Sequence, residues 1–209
     1  MLRLAFVLLP ALGAACASSP TPPAAADATP PVEFNMLGRE DAPVSIIEFT
    51  DLQCPYCARF ATQVFPEIRR NYIDTGKVRF ASRDLPLPFH AFALPAAVAA
   101  RCAGEQGKFW DFREALFAGQ SRLGSAPYDE LARRFGMDAG RFDACRRDGR
   151  QEANVRADLA LAQSQGIRST PSFVIGRVVN GSFEGEIVSG ARPYEEFAAR
   201  IDTLLGAAD

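Results

Sequence analysis

The apolar positions divide the chain into three unlike stretches. Leu4 to Ala15 is a continuous apolar run of about a dozen residues. Residues 18–31, SSPTPPAAADATPP, hold five prolines, four alanines and one charge, with no helical or strand periodicity. Such a stretch cannot build a packed face and is expected as an extended, polyproline-rich tether. At ~3.1 Å per residue it would reach on the order of 40 Å. From Val32 onward the pattern becomes that of a folded domain.

Within that domain, Pro43 to Phe49 is β-rich and apolar on both parities, as in a strand buried on both faces. After a short turn, Ala61, Val64, Phe65, Ile68 and Tyr72 fall at i, i+3, i+4, i+7 and i+11, one face of a helix. Pro66 lies inside that pattern and is expected to kink it. Gly76 ends the helix, and Lys77 to Ser82 is the next strand. Strand, helix and strand at this spacing predict a parallel βαβ unit.

Residues 88–165 lack strand signals and predict five helices. These carry Leu94, Val98 and Cys102; Phe109, Phe112 and Leu116; Tyr128, Leu131 and Phe135; Phe142 and Cys145; and Val155, Leu159 and Ala162. Gly136 and Gly166 end two of them, and Asp138 is placed to cap the fourth. Strand chemistry returns at Ser172 to Ile175. Asn180-Gly181 is a type I′ turn signal, so Glu186 to Ser189 can return antiparallel. A helix beginning at Pro193 and carrying Tyr194, Phe197, Ile201 and Leu204 closes the chain. The order is βαβ, helical insert, ββα, an α/β fold without an internal repeat. Asn180-Gly181-Ser182 also matches a glycosylation sequon, but the turn accounts for it.

Composition narrows the function. Of 209 residues, 48% are hydrophobic and 23% charged, enough to bury a core and to exclude wholesale disorder. A net charge of −2 argues against a general polyanion binder, so no nucleic-acid partner is expected. A single histidine, His90, excludes His-rich metal sites. It follows Pro86-Leu-Pro88 and is expected on a loop surface or as a cap. Five cysteines are too few for a disulfide scaffold, so their placement carries the information.

Residues 1–17 read as a signal peptide, with Arg3 as the positive end and an apolar run too short to span a bilayer. Ala15-Cys16-Ala17 fits a small-x-small cleavage site. Cleavage before Cys16 with acylation of its thiol is the alternative, although Gly13 stands where a lipobox usually has leucine. Both outcomes stay open. Either one places the domain in the periplasm or cell envelope. No later segment is long and apolar enough to cross a membrane.

The chemistry concentrates at Cys54-Pro55-Tyr56-Cys57, directly after a strand and at the start of a helix. There Cys54 would face free backbone N–H groups, and these together with the helix dipole stabilise a thiolate. Lowering a thiol pKa from ~8.5 to ~6 takes about 3.4 kcal/mol. The dipole supplies at most ~2, and a hydrogen bond to the charged sulfur about 1.5–3, so both are required. Pro55 fixes φ at a position where no donor is lost. Cys57, one turn in, suits a resolving thiol. A zinc site would need four ligands, and Cys102, Cys145 and His90 are scattered, so no metal is expected. A purely structural Cys54–Cys57 bond would close too small a ring to stabilise much.

Three separated runs resemble the DsbA-like branch of the thioredoxin superfamily: Ala42 to Cys57, Arg101 to Trp110, and Thr170-Pro171-Ser172-Phe173-Val174-Ile175. The similarity covers most of residues 38–205. It implies a thioredoxin-like fold with an inserted all-helical subdomain, with core at 32–87 and 166–209 and insertion at 88–165. It further implies that Cys54 is the attacking thiol and Cys57 its resolving partner, with no cofactor beyond their disulfide. Glu48 corresponds to a buried acid beneath the disulfide, able to relay a proton to Cys57. A strand-end glutamate facing solvent is the other reading. Pro171 corresponds to a cis-proline opposite the cysteines, leaving residue 170 to pair with an extended substrate alongside Pro55, Tyr56 and Thr170.

The resemblance predicts an exported, monomeric thiol:disulfide oxidoreductase, acting as an oxidase on reduced or unfolded exported proteins. A DsbB-like, quinone-linked membrane protein or another membrane redox partner would recycle it. Tyr56 in place of a common histidine suggests a less oxidising poise, and Thr170 also resembles the isomerase and reductase branches. Only residues 32–42 precede the first core strand, too few for the dimerisation domain that isomerases usually carry. A reductase or isomerase, and a non-catalytic peptide-binding chaperone, remain the alternatives. Cys102 and Cys145 lie on apolar faces of the insert. A disulfide between them would close a loop worth ~4 kcal/mol in the chain-entropy model, against two buried free thiols as the alternative.

Overall fold

The structure is a computed structural model that describes residues 35–179 and 182–206. The signal peptide, Cys16, the tether and the Asn180-Gly181 turn lie outside the described residues. A five-stranded sheet forms the centre, in the order β1-β3-β2-β4-β5. Its strands are β1 (Met36–Leu37), β2 (Val44–Thr50), β3 (Val78–Asp84), β4 (Ser172–Val179) and β5 (Ser182–Ser189). β2 and β3 run parallel, in the register Val44 opposite Val78 to Thr50 opposite Asp84. β4 and β5 continue antiparallel. The two-residue β1 gave no sequence signal, being shorter than any alternation can reveal.

β2 is apolar on both parities because both of its faces are covered. Val44 and Ile46 pack with Phe60, Phe65, Phe80, Phe173 and Phe197 on one side. Phe49, with Ile47, packs against Leu85, Ala162 and Ile167 on the other. β4 and β5 extend further than their apolar residues indicate. Gly176 and Gly185 face each other across the pair, and a Cβ on Gly176 would meet the Glu184 carbonyl oxygen at 1.9 Å.

The helix after the cysteines runs through residues 55–73 as α1 (Pro55–Arg59), a π-turn at Phe60–Val64, α2 (Phe65–Ile68) and a second π-turn at Arg69–Ile73. Pro66 does not end it. The wider turn ahead of the proline shifts the ladder, so that Phe65 N–H donates to the Phe60 carbonyl, i to i−5.

The insert comprises α3 (Ala93–Gly104), α4 (Phe109–Ala118), a 3-10 turn at Gln120–Ser125, α5 (Tyr128–Arg134), α6 (Ala139–Arg147) and α7 (Arg150–Ser164). Asp138 caps α6 by accepting from the Arg141 N–H. Cys102 and Cys145 are joined by a disulfide between α3 and α6. Arg101, the residue before Cys102, is buried between Asp84 on β3 and Asp158 on α7. Trp110 packs against both the insert core and the sheet core, stacked on Phe65 at 5.7 Å. Insert and sheet thus share one interior. The last helix, α8 (Tyr194–Gly206), begins one residue after Pro193 and buries Phe197 and Ile201 on the sheet.

Candidate active site

Cys54 is the N-cap of α1, with extended backbone (φ −73°, ψ 123°) and Pro55 in the first helical turn. The turn before it is set by Asp51. Its carbonyl accepts the Cys54 N–H at 3.0 Å, and its Oδ1 accepts the Gln53 N–H at 2.7 Å. Its Oδ2 accepts from Leu87 N–H and from His90 Nδ1, each at 2.8 Å. Asp51 is buried and His90 half-buried, so of the two expected placements, surface or cap, the open surface is not the one found. His90 ties the 87–90 loop to the cysteine turn. Gln120 from the insert closes the other side, donating to the Leu52 and Cys54 carbonyls.

The two thiols are free, both are buried, and they are unequal. The Cys54 pKa falls to about 5, mainly because the Cys57 thiol donates to its sulfur. Burial opposes this, and the Thr170 side chain and the backbone N–H groups of Cys57 and Tyr56 add to it. Burial pushes the Cys57 thiol well above its usual value, and the neighbouring Cys54 charge pushes the same way. The Asp51 N–H faces Cys57 Sγ at 3.5 Å.

Across from the helix start, the Thr170–Pro171 peptide bond is cis. The Thr170 carbonyl lies 3.5 Å from Cys54 Sγ, which brings this loop beside the first cysteine. The Pro171 carbonyl accepts the Gly190 N–H, which holds the β5–α8 connection beside it. Tyr56 and Pro55 are exposed.

Glu48 lies on the same face of β2 as Ile46 and is fully buried, not solvent-facing. Its Oε2 accepts from Arg113 Nη2 at 2.5 Å. Burial still raises its pKa, against the opposing pull of Arg113 and of the Thr50 and Ser82 hydroxyls. The Arg113 guanidinium sits over the rings of Phe117, Trp110 and Phe65. Thr50, two residues on from Glu48 and also buried, favours the charged forms of both Glu48 and Cys57.

Asp51, Thr50, Arg113 and Gln120 were not singled out in the sequence. Arg113 had a visible signal: it sits at i+4 from Phe109, inside the apolar stripe of α4. Asp51 had one too, as an Asx residue two before Gln53 at the strand-to-helix turn. Among the described residues no group of three or more potential ligands gathers for a metal, and no helix is long and apolar enough to cross a membrane.

A family model described as Thioredoxin matches residues 32–203. The Na(+)/H(+) antiporter NhaA 3 of Salinispora tropica is 34% identical over 173 residues, 82% of this chain and 26% of the antiporter. The chain thus spans about a quarter of the length of the antiporter relatives it matches. A putative protein-disulfide oxidoreductase of Rickettsia bellii is 26% identical over 175 residues, covering 80% of this chain and 67% of that protein. The crystal structure of alpha-DsbA1 from Wolbachia pipientis superposes with a TM-score of 0.72 at 29% identity, covering 83% of this chain and 92% of that one.

Proposed function

The chain belongs to the DsbA-like branch of the thioredoxin family, and on that premise we propose that it is an exported thiol:disulfide oxidase of proteins. The observation that carries the reading is the inequality of the two thiols: Cys54 held near pKa 5 and Cys57 pushed far above the usual thiol range. Only the first is a thiolate at neutral pH, so Cys54 is the sulfur that leaves or attacks readily.

In the oxidising direction a client thiolate attacks Cys54 Sγ of the Cys54–Cys57 disulfide. The sulfur–sulfur bond breaks, a mixed disulfide forms, and Cys57 leaves as a thiolate that takes up a proton. A second client thiolate attacks the client sulfur of the mixed disulfide and expels the Cys54 thiolate. The client loses two electrons and the enzyme gains them. Expulsion is favoured because the leaving thiolate is stabilised, and this supports the oxidase direction over the reductase or isomerase one. In the reverse direction Cys57 must lose its proton to resolve the mixed disulfide. Glu48 and the Thr50 hydroxyl are assigned to carry that proton, while Thr170 and Pro171 align the client backbone at Cys54. No cofactor is required beyond the disulfide itself. Reoxidation is assigned to a membrane-bound, quinone-linked partner, and export to the amino-terminal signal, cleaved either after Ala17 or before a lipid-bearing Cys16. The antiporter relatives agree with a place at a membrane.

The test is turnover. The purified protein, oxidised at Cys54 and Cys57, should convert a reduced dithiol peptide to its disulfide one for one, and Cys54→Ser should abolish this. Cys57→Ser should accumulate mixed disulfides. Efficient insulin reduction with no peptide oxidation would give the site to the reductase reading, and peptide holding without either reaction to the chaperone reading.

A further inference from the structure

We propose that the groove beside Cys54 selects client segments carrying an acidic side chain within a few residues of the reacting cysteine. The inference rests on the exchange reading above and names the substrate class of that same site. The groove has a volume of about 410 Å³ and is lined by Tyr56, Arg59, Thr170 and the β5–α8 connection through Arg192. Thr170, which lines it, has its carbonyl 3.5 Å from Cys54 Sγ, the sulfur that would carry the client, so the groove opens beside the reacting atom.

Two cations line this groove without a counter-ion. Arg59 donates Nη2 to the Ala191 carbonyl at 3.1 Å and lies over the Tyr56 ring at 5.3 Å. Arg192 donates Nε to the Ser189 carbonyl at 2.9 Å. Both guanidinium groups are therefore fixed by neutral carbonyls, which place them without cancelling their charge. Among the described residues neither is ion-paired with a carboxylate, and both lie at the groove beside Cys54. Two unpaired cations at the reacting groove of a chain of net charge −2 are a local reversal of sign. A carboxylate on the client is the group that would pair with them. The exposed Tyr56 ring supplies the apolar wall against which such a segment would lie.

Three dithiol peptides of one length, with their cysteines flanked by Asp/Glu, by Ser/Gly or by Lys, test this on the oxidised full chain. Each second-order rate is divided by that peptide's rate with hydroxyethyl disulfide, which removes the effect of flanking charge on the thiol itself. At low salt the acidic peptide should exceed the lysine peptide by about two- to thirtyfold, the range of two exposed ion pairs. The ratio should shrink toward one as salt is raised. Arg59→Gln with Arg192→Gln should lose the ratio, Arg59→Lys with Arg192→Lys should keep it, and the exposed Arg192→Glu alone should lower or invert it. Equal normalised rates in the unmodified protein, or a preference that persists in the glutamine pair, would overturn the proposal alone. If none of the three peptides is oxidised, the exchange reading falls and this inference with it.

Discussion

At the residue scale the site is a problem of where one proton sits. Cys54 is stabilised as a thiolate by groups that are all local: the Cys57 thiol, the Thr170 side chain and two amides of the helix start. Absorbance at 240 nm against pH should show a thiolate midpoint near 5. A midpoint near ~8.5, the value of a free thiol, would remove the basis for a stabilised leaving group. The Thr170 Oγ1 is buried and has no hydrogen-bond partner of its own, which leaves the Cys54 thiolate, whose pKa the Thr170 side chain lowers, as the acceptor open to its proton. Thr170→Val should therefore raise the midpoint by about one unit, since a hydrogen bond to a charged group is worth about 1.5–3 kcal/mol. Thr50 poses the same question for the second thiol. Its one hydroxyl proton can serve Glu48 or Cys57, not both at once. Thr50→Val should slow release of a trapped mixed disulfide on the order of tenfold, less than the full 10²–10⁴ of a general acid–base group. It should also move the pH profile of that step. A change in rate with an unmoved profile would mean that Thr50 only packs.

At the element scale, buried charge sets the docking of the insert on the sheet. Arg113 on α4 meets Glu48 on β2 where both side chains are essentially inaccessible. Removing one partner leaves the other charge buried and uncompensated, a cost of about 3–5 kcal/mol. Arg113→Met should accordingly lower the urea midpoint strongly, and Arg113→Met with Glu48→Met should recover much of the loss. A double variant no better than the single one would mean that the aromatic packing around Arg113, not the charge pair, carries the effect. These elements also show which parts of the fold were readable in advance. The parallel βαβ unit, the five helices of the insert and the Asp138 cap were legible because each is written in local periodicity or in one capping residue. An irregularity at Pro66 was legible from the proline itself, but the π-turns on either side of it were not, because they depend on packing beyond the segment. The Cys54 N-cap was legible from Cys54-Pro55 after a strand. The reach of Asp51 to the 87–90 loop, of Gln120 to the Leu52 and Cys54 carbonyls and of Arg113 to Glu48 was not, because each of these partners lies tens of residues away. His90 was expected on a loop surface or as a cap, and its tie to Asp51 was not foreseen because that partner lies 39 residues earlier.

At the scale of the whole molecule, the unequal thiols couple redox state to pH. The Cys54 pKa is depressed on folding, so the reduced fold gains stability as pH rises above about 5 toward the unfolded thiol value, and loses it as pH falls through 5. The disulfide form has no such titration. Cys57 is raised well above the usual value, so it stays protonated throughout that window. Reduction there consumes two electrons and one proton, against two protons for an ordinary dithiol. The potential should then fall by about 30 mV per pH unit between pH 5 and the usual thiol pKa, against about 59 mV for dithiothreitol. Equilibration with dithiothreitol at several pH values should show the protein becoming the stronger oxidant as pH rises. Parallel slopes would mean that Cys54 is not a thiolate in the reduced fold. The same molecule-wide view bears on where the chemistry occurs. If the proposed membrane partner recycles the protein, holding it at the membrane through Cys16, ahead of the Pro/Ala-rich residues 18–31, would favour that step. A diacylglycerol on the Cys16 thiol plus an amide-linked chain on its amine would supply the two-chain anchoring that stable residence requires. Gly13 is the position most able to defeat this, since it weakens the lipobox. Mass spectrometry of the mature N-terminus should find a lipid-modified peptide beginning at Cys16, and Cys16→Ser should release the protein from the membrane fraction. An unmodified N-terminus at Ser18 would instead mean that ordinary signal cleavage wins and the tether is only a leader.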